Sequence, residues 1–205
     1  MQWHSWLSIF IEQVRETTVW EWVAVIMGVA EVLLAKANNV LLYPAGIIGT
    51  AIGIYIMANA RLYGESILSL YYLVMSIYGW IHWLRKKNEP PLPITYATRR
   101  EWGIVAGIVV VGWAIFYVVL TKAQSSQPLW DGWVSATAWA GMWLLARRKI
   151  ENWIVLNVSN LFAIPLLVYK KLPLMGGLTL FLFIVAIFGY LEWRKIYKSE
   201  HPSLS

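Results

Sequence analysis

The sequence predicts an all-α membrane protein in which seven transmembrane helices form two parallel three-helix repeats joined by one extra helix, a 3+1+3 arrangement. The 205 residues are 59% hydrophobic and 14% charged, whereas roughly a quarter of the residues of a soluble domain are charged. The chain also contains several apolar stretches of about 20 residues, the length that crosses a bilayer as a helix. An internal repeat, described below, divides these stretches into two sets of three.

Seven spans can be placed because charged or turn-forming residues end each apolar stretch. They cover residues 19–36, 40–59, 64–84, 102–121, 130–147, 151–169 and 174–193. Residues 1–18 combine near-helical spacing of apolar side chains with charged groups, which predicts a helix lying on the membrane surface and not a cleaved signal peptide. Residues 85–101 are predicted to be a proline-containing cytoplasmic linker, and residues 194–205 a cytoplasmic tail.

The basic residues predict the orientation of these spans. Twelve lysines and arginines lie in the loops on the side of the carboxyl terminus, and five lie on the opposite side. Because cytoplasmic loops carry the excess of basic residues, we expect the carboxyl terminus in the cytoplasm and the amino terminus outside. The same placement at the ends of spans explains the net charge of +6 without any nucleic-acid partner.

The internal repeat links the third predicted span to the seventh. The run IYGWIHWLR from Ile77 matches IFGYLEWR from Ile187, and LLAK from Leu33 matches LLAR from Leu144. The repeated units are residues 19–84 and 130–193, and the connecting helix 102–121 lets both enter the membrane in the same direction. Parallel repeats of this kind commonly enclose a solute site near the middle of the membrane. They favour a transporter over a membrane scaffold.

The span 151–169 is the first place to look for that site, because it carries Asn157, Ser159, Asn160 and Pro165 within an apolar stretch. An unpaired carboxamide costs several kcal/mol in an apolar solvent, so these side chains must face other helices or a cavity. Trp153, Asn157 and Asn160 follow the spacing i, i+4 and i+7, which predicts one helix face suited to a flat, polar, ring-shaped solute. The alternative is that the amides hold helices together.

Aromatic side chains supply most of the remaining candidate site residues, since an aromatic-lined cavity suits a heteroaromatic and especially a cationic solute. Core packing is the alternative for each single ring. The predicted substrate-binding residues outside the span 151–169 are Tyr72, Trp80, Trp83, Trp139, Trp143, Asn39, Tyr190 and Glu192. Glu31 is the deepest acidic residue of the spans, and no chain of ionisable residues of the kind used by ion-coupled carriers is present, which favours passive movement.

Several other functions are excluded by composition and spacing. Without cysteine the chain forms no disulfide and no thiol-based site, and His4, His82 and His201 lack metal-ligand spacing. We therefore expect no metal and no cofactor. No catalytic motif occurs at usable spacing, so we expect no enzyme. A retinal protein is excluded because residues 174–193 contain no lysine for a Schiff base.

Several motifs in order resemble the PnuC family of bacterial vitamin transporters. They are KANNVLLYPAGIIG from Lys36, LYGES from Leu62, YGWIHW from Tyr78, ENW from Glu151 with Asn160 and the IPL turn from Ile164, and GYLEWR from Gly189. The resemblance implies a fold like that of SWEET sugar transporters, a homotrimer, and facilitated diffusion of nicotinamide riboside across the cytoplasmic membrane. In that family, uptake is driven by phosphorylation of the solute inside the cell.

One position departs from the family pattern. The sixth span of the family resembles W-x-x-W-x-x-x-[ND], and here Trp153 and Asn160 match whereas Leu156 stands at the second tryptophan. Relatives with such differences move thiamine, so thiamine uptake by the same mechanism stays open. Both vitamins carry a cationic ring, but a riboside needs more hydroxyl partners, which Asn157, Asn160, Asn39 and Asn59 supply if they converge.

Overall fold

A computed structural model describes residues 2–59, 63–84 and 92–201, and within them the chain forms eight α-helices. Residues 85–91 of the predicted linker, residues 202–205 of the predicted tail and the connection 60–62 lie outside the described residues. The helices are α1 (Gln2–Glu16), α2 (Val19–Lys36), α3 (Leu42–Asn59), α4 (Tyr63–Trp83), α5 (Arg99–Lys122), α6 (Pro128–Ala146), α7 (Asn152–Tyr169) and α8 (Pro173–Glu200).

Helices α2 to α8 coincide with the seven predicted spans to within a few residues at most ends. Two ends differ. Helix α5 begins at Arg99 because Thr98 caps it: the Thr98 N–H donates to Oε2 of Glu101 at 2.9 Å, and the Glu101 N–H donates to the Thr98 hydroxyl at 3.3 Å. Helix α8 runs to Glu200, so most of the predicted tail is helical.

By length and apolar composition, four of the described helices are able to cross a membrane, namely α3, α5, α7 and α8. Leu7–Glu16 of α1 and α2 together pass the same test as one span bent by 105°. Taken by itself, helix α2 is less apolar because it contains the charged residues Glu21, Glu31 and Lys36. Helices α4 and α6 contain tryptophans, tyrosines and polar residues, which lower their mean hydropathy.

The helices pack in chain order within two groups. Helix α3 lies against α2 and α4, helix α7 lies against α6 and α8, and α5 packs on α6. The groups meet through α2 with α8 and through α4 with α6. Helix α1 is attached to the connection between α7 and α8, where Gln13 donates to the Lys171 carbonyl at 3.1 Å and accepts from the Leu174 N–H at 3.2 Å.

Two tryptophans each donate a hydrogen bond to the backbone of the other helix group. The indole N–H of Trp83 on α4 donates to the Ala146 carbonyl at 3.2 Å, and that of Trp193 on α8 donates to the Ala35 carbonyl at 2.9 Å. The two donors are equivalent positions of the sequence repeat, and so are the two acceptors. Each group thus ties its last helix to the end of the other group's first helix.

The same repeat relates the aromatic packing around these tryptophans. Trp83 meets Tyr43 of α3 edge to face at 5.2 Å, and Trp193 meets Trp153 of α7 in the same manner at 5.7 Å. In both places a glycine lets the ring approach the backbone, because a Cβ at Gly189 would lie 2.7 Å from Cε2 of Trp153, and one at Gly79 would overlap the ring of Tyr43. These rings form the centre of the largest buried cluster of the described residues.

Candidate functional site

A cavity of about 220 Å³ lies between the two helix groups. Every helix from α2 to α8 except α5 contributes to its wall. The lining residues are Glu31, Val32, Ala35, Thr50, Tyr72, Ala138, Met142, Leu145, Trp153, Leu156, Ser159, Asn160, Leu182 and Ala186. The wall is therefore mostly apolar, with a carboxylate, an amide and three hydroxyl groups at defined points.

Some of the lining residues are equivalent positions of the two repeated units. In two such pairs both members touch the cavity: Glu31 with Met142, and Tyr72 with Leu182. The two repeated units thus present the same positions to one shared space.

Helix α7 contributes the face made by Trp153, Leu156, Ser159 and Asn160. The prediction that Asn157 shares this face is corrected by the structure: its amide donates to the Phe183 carbonyl of α8 at 3.2 Å, and it lines a separate groove between α7 and α8. Asn157 is about 60° around the helix axis from Asn160. That rotation is enough to move a side chain from the cavity to the neighbouring helix.

Trp153 forms one aromatic wall and is only 2% exposed. Its ring is held between Gly189 and the edge of Trp193, and its buried N–H has no hydrogen-bond partner among the described residues. Asn160 is half-buried, and its amide donates to Asn157 over a long 3.4 Å. A planar aromatic surface and a weakly engaged amide therefore stand on neighbouring parts of the wall.

Glu31, Thr50 and Ser159 complete the polar part of the wall, and the sequence pattern assigned none of them to the site. Ser159 is already engaged, since its hydroxyl donates to the Val134 carbonyl of α6 at 2.7 Å. For Glu31 the available signal was its position as an acid deep inside an apolar span. Thr50 offered no signal, because a threonine in a helix is ordinarily accommodated by its own backbone.

Of the predicted residues on α4, only Tyr72 lines the cavity. Trp83 belongs to the buried aromatic cluster at the end of the bundle, and Trp80 packs against that cluster. Trp80 and Trp83 therefore lie outside the lining of this cavity, and their contact with a solute stays a prediction. Both rings lie at the cytoplasmic end predicted for α4, beyond the depth of the cavity-lining Tyr72.

The two predicted tryptophans of α6 are engaged in helix contacts. Trp139 stacks on Tyr71 with ring centres 4.0 Å apart, and its carbonyl accepts from the Tyr71 hydroxyl at 3.1 Å. Trp143 lies beside the Arg147 guanidinium at 5.2 Å. Neither residue lines the cavity, because α6 presents Ala138, Met142 and Leu145 to it instead.

The last predicted site residues also lie elsewhere. Tyr190 lines the groove that contains Asn157, and Glu192 is exposed. Asn39 is exposed in the connection from α2 to α3, where its side-chain oxygen accepts from the Leu41 N–H at 2.9 Å. This is the turn-forming contact typical of asparagine. Asn59 is exposed at the end of α3 and does not line the cavity.

The end of the bundle near Trp83 is organised by Arg148. Its guanidinium lies 4.4 Å from the Trp83 ring centre, donates from Nε to Oδ1 of Asn38 at 3.0 Å, and donates to the Leu92 carbonyl. Burial lowers the pKa of Arg148 and the charge of Glu200 opposes that effect, but an arginine in a protein stays protonated. A permanent cation therefore holds the connection between α6 and α7 against that between α2 and α3.

The segment before α5 is attached to the same connection. Thr95 forms an isolated parallel bridge with Lys149, in which the Thr95 N–H donates to the Arg148 carbonyl at 3.2 Å and its carbonyl accepts from Ile150 at 3.0 Å. Glu101 pairs with Arg147 at 3.2 Å and with Lys149 at 3.1 Å. The described part of the linker is thus ordered by contacts with the second helix group.

An α-helical bundle with membrane-spanning apolar helices and an internal cavity of mixed aromatic and polar character defines a multi-pass membrane protein of the transporter class. The class can be narrowed to one family. A family model described as "Nicotinamide mononucleotide transporter" matches residues 18–195, and the chain belongs to that family.

Individual relatives agree with this assignment. The chain is 26% identical over 190 residues to the nicotinamide riboside transporter PnuC of Neisseria mucosa, covering 86% of this chain and 72% of that protein. It is 22% identical over 200 residues to the protein of the same name from Escherichia coli, covering 84% of each. For the Haemophilus influenzae protein of that name the identity is 23% over 211 residues, with 94% and 89% covered.

A solved structure shares the fold. The protein described as "Crystal structure of the Vitamin B3 transporter PnuC" superposes with a TM-score of 0.70 at 23% identity, covering 95% of this chain and 90% of that chain.

Proposed function

We propose that this protein carries nicotinamide riboside across the bacterial cytoplasmic membrane by facilitated diffusion. The observation that carries the proposal is the cavity between the two helix groups, where Trp153, Tyr72, Asn160 and Glu31 surround a space that no helix fills. The family assignment and the names of the relatives support the choice of solute.

The proposed architecture is seven spans in a 3+1+3 arrangement, with parallel repeats at residues 19–84 and 130–193 joined by the connecting helix 102–121. The exchanged hydrogen bonds of Trp83 and Trp193 support this pairing of repeats. We further propose a homotrimer, with the amino terminus outside and the carboxyl terminus in the cytoplasm. The excess of basic residues in the loops on the carboxyl-terminal side supports that orientation.

The chemistry of the wall suits a riboside. Trp153 and Tyr72 offer aromatic faces to a pyridine ring. The Asn160 amide and the Thr50 hydroxyl both donate and accept hydrogen bonds, as carboxamide and ribose groups require. These four residues come from both repeated units, so a bound solute would bridge the two helix groups.

Movement driven by the solute gradient needs no coupling ion. Among the described residues that line the cavity, Glu31 is the one with an ionisable carboxylate. A proton- or sodium-coupled carrier usually has several such groups in sequence. We propose that phosphorylation of the solute inside the cell maintains the gradient.

Thiamine is the second candidate solute, and Leu156 is the observation that favours it. This residue lies in the cavity wall beside Trp153 and Asn160, where the family pattern has a tryptophan. A leucine leaves more room and removes one aromatic face. Both changes would suit a ligand with two rings and few hydroxyl groups.

Uptake into proteoliposomes tests the proposal directly. Vesicles containing the purified protein and a trapped riboside kinase with ATP should accumulate labelled nicotinamide riboside, whereas vesicles without the kinase should only equilibrate. Thiamine with a trapped thiamine kinase is the parallel experiment. Accumulation of neither vitamin, by protein that elutes as a single folded species, would refute transport of both and leave a non-transporting scaffold.

A further inference from the structure

We propose that Glu31 is the counter-ion of the solute, so that the cavity selects a positively charged heteroaromatic ring over an uncharged ring of the same shape. This inference rests on the proposed function. It assigns a role in substrate discrimination to a residue of α2, a helix of the first group, whereas the aromatic and amide groups of α7 belong to the second.

The Glu31 carboxylate has no cationic partner within the part of the chain that the structure describes. The ion pairs there join Glu101 to Arg147 and Lys149, and Asp131 to Lys170. Lys36, on the same helix as Glu31, lies over the ring of Phe188 at 5.5 Å. A carboxylate in an apolar bundle is costly unless a charge or several donors compensate it. A cation within the cavity that Glu31 lines would supply this compensation.

The fold also makes room for this carboxylate. A Cβ placed on Gly46 of α3 would lie 2.5 Å from Oε1 of Glu31 and 2.6 Å from its Cδ. Any side chain larger than hydrogen at position 46 would displace the carboxylate. Gly46 therefore leaves the space in which the Glu31 carboxylate packs against α3.

The two repeated units differ at this point. In the second unit the corresponding helices are α6 and α7, where a Cβ on Gly141 of α6 would lie 2.6 Å from Cδ2 of Leu156 of α7. The large side chain thus comes from the first helix of one unit and from the second helix of the other. The first unit consequently contributes a carboxylate to the cavity wall where the second contributes an alkyl group.

This asymmetry orients a solute and sets its preferred charge. A cationic ring placed between the aromatic face of Trp153 and the carboxylate of Glu31 is attracted by both. An uncharged ring leaves the carboxylate uncompensated in a poorly solvated space. A phosphorylated riboside adds negative charge close to Glu31, which disfavours its return through the cavity once it has formed inside the cell.

The test compares two ligands that differ in the charge of one ring. Nicotinamide riboside is a pyridinium cation, and its reduced 1,4-dihydro form is uncharged with the same sugar and carboxamide. Calorimetric titration of the purified wild-type protein should give a dissociation constant at least about tenfold lower for the cation, or ~1.4 kcal/mol. In Glu31→Gln the affinity for the cation should fall to the level of the affinity for the reduced form. The affinity for the reduced form should stay the same as in the wild type or increase.

Two further variants separate charge from packing. Glu31→Asp keeps the charge and should retain most of the preference for the cation. Gly46→Ala displaces the carboxylate without removing it and should reduce the preference for the cation over the uncharged form. This variant replaces Glu31→Gln in the test if Glu31→Gln does not fold. Glu12→Gln, an exposed acid on α1, is the matched control and should leave both affinities unchanged.

The outcomes distinguish this inference from the proposed function. If the wild-type protein binds neither form, and binds neither thiamine nor its uncharged deaza analogue, the proposed function itself fails. If it binds the charged and uncharged forms equally, or if Glu31→Gln weakens both forms to the same extent, the counter-ion assignment is overturned and the transport proposal stands.

Discussion

Asn38 and Arg148 each follow the first helix of a repeated unit, α2 and α6, and they are hydrogen-bonded to each other. Both residues lie just after a helix and have a positive φ, 54° for Asn38 and 57° for Arg148. Asparagine tolerates this conformation well, whereas it is unusual for arginine. The contacts of the Arg148 guanidinium with Asn38, Trp83 and Leu92 offset that cost, so equivalent turns of the two units are joined at one point.

We expect Arg148→Ala to lower the free energy of unfolding by about 2–3 kcal/mol, since it removes charge-assisted hydrogen bonds and a cation–π contact. Arg148→Lys should recover only part of this loss, because an ammonium lacks the planar fork of donors. Thermal unfolding of the purified variants in detergent measures both effects. Lys195→Ala, on an exposed part of α8, is the control; a variant at Arg148 as stable as this control would contradict the interpretation.

The two asparagines of α7 should respond differently to the same substitution. Asn160→Leu should abolish uptake and leave the protein folded, because Asn160 lines the cavity. Asn157→Leu should retain binding and lower stability by about 1 kcal/mol, because it loses the hydrogen bond to the Phe183 carbonyl. Solute-induced thermal stabilisation and uptake, measured on both variants, give the comparison. Equal loss of uptake in the two would place Asn157 in the transport path as well.

Gly189→Ala should destabilise the protein by about 1–3 kcal/mol and weaken solute binding. The added Cβ would lie 2.7 Å from the Trp153 ring, which must then move into the cavity or away from Trp193. Gly177→Ala in the same helix is the matched control, since nothing lies within 4 Å of a Cβ there. Tryptophan fluorescence of the two variants, with and without solute, would report the movement, and identical spectra would refute it.

Leu156→Trp should change which vitamin binds. An indole cannot extend toward Gly141, where Leu156 is already in close contact, so it must project into the cavity. The smaller, more aromatic space should weaken thiamine binding and maintain or strengthen nicotinamide riboside binding. Titration of each vitamin with the wild type and the variant measures the ratio of affinities. If that ratio is unchanged, Leu156 does not determine the choice of solute.

The helices could be predicted from the sequence because their positions follow from local and periodic information. The bounds of α2 to α8 follow from apolar length and from charged or capping residues at the ends, as at Thr98 and Glu101. The internal repeat is visible in the sequence itself and reappears in the exchanged bonds of Trp83 and Trp193.

The tertiary structure decided which candidates meet in one cavity. The spacing along α7 predicts that Trp153, Asn157 and Asn160 lie on roughly the same side of the helix. The direction in which that side points depends on packing against α6 and α8, and it places Asn157 against Phe183. Glu31 joins the site only because Gly46, on the next helix of the chain, leaves room for it. Helical periodicity determines the angles between side chains of one helix. The rotation of each helix about its own axis is set by packing against residues far away in sequence, which no local pattern contains.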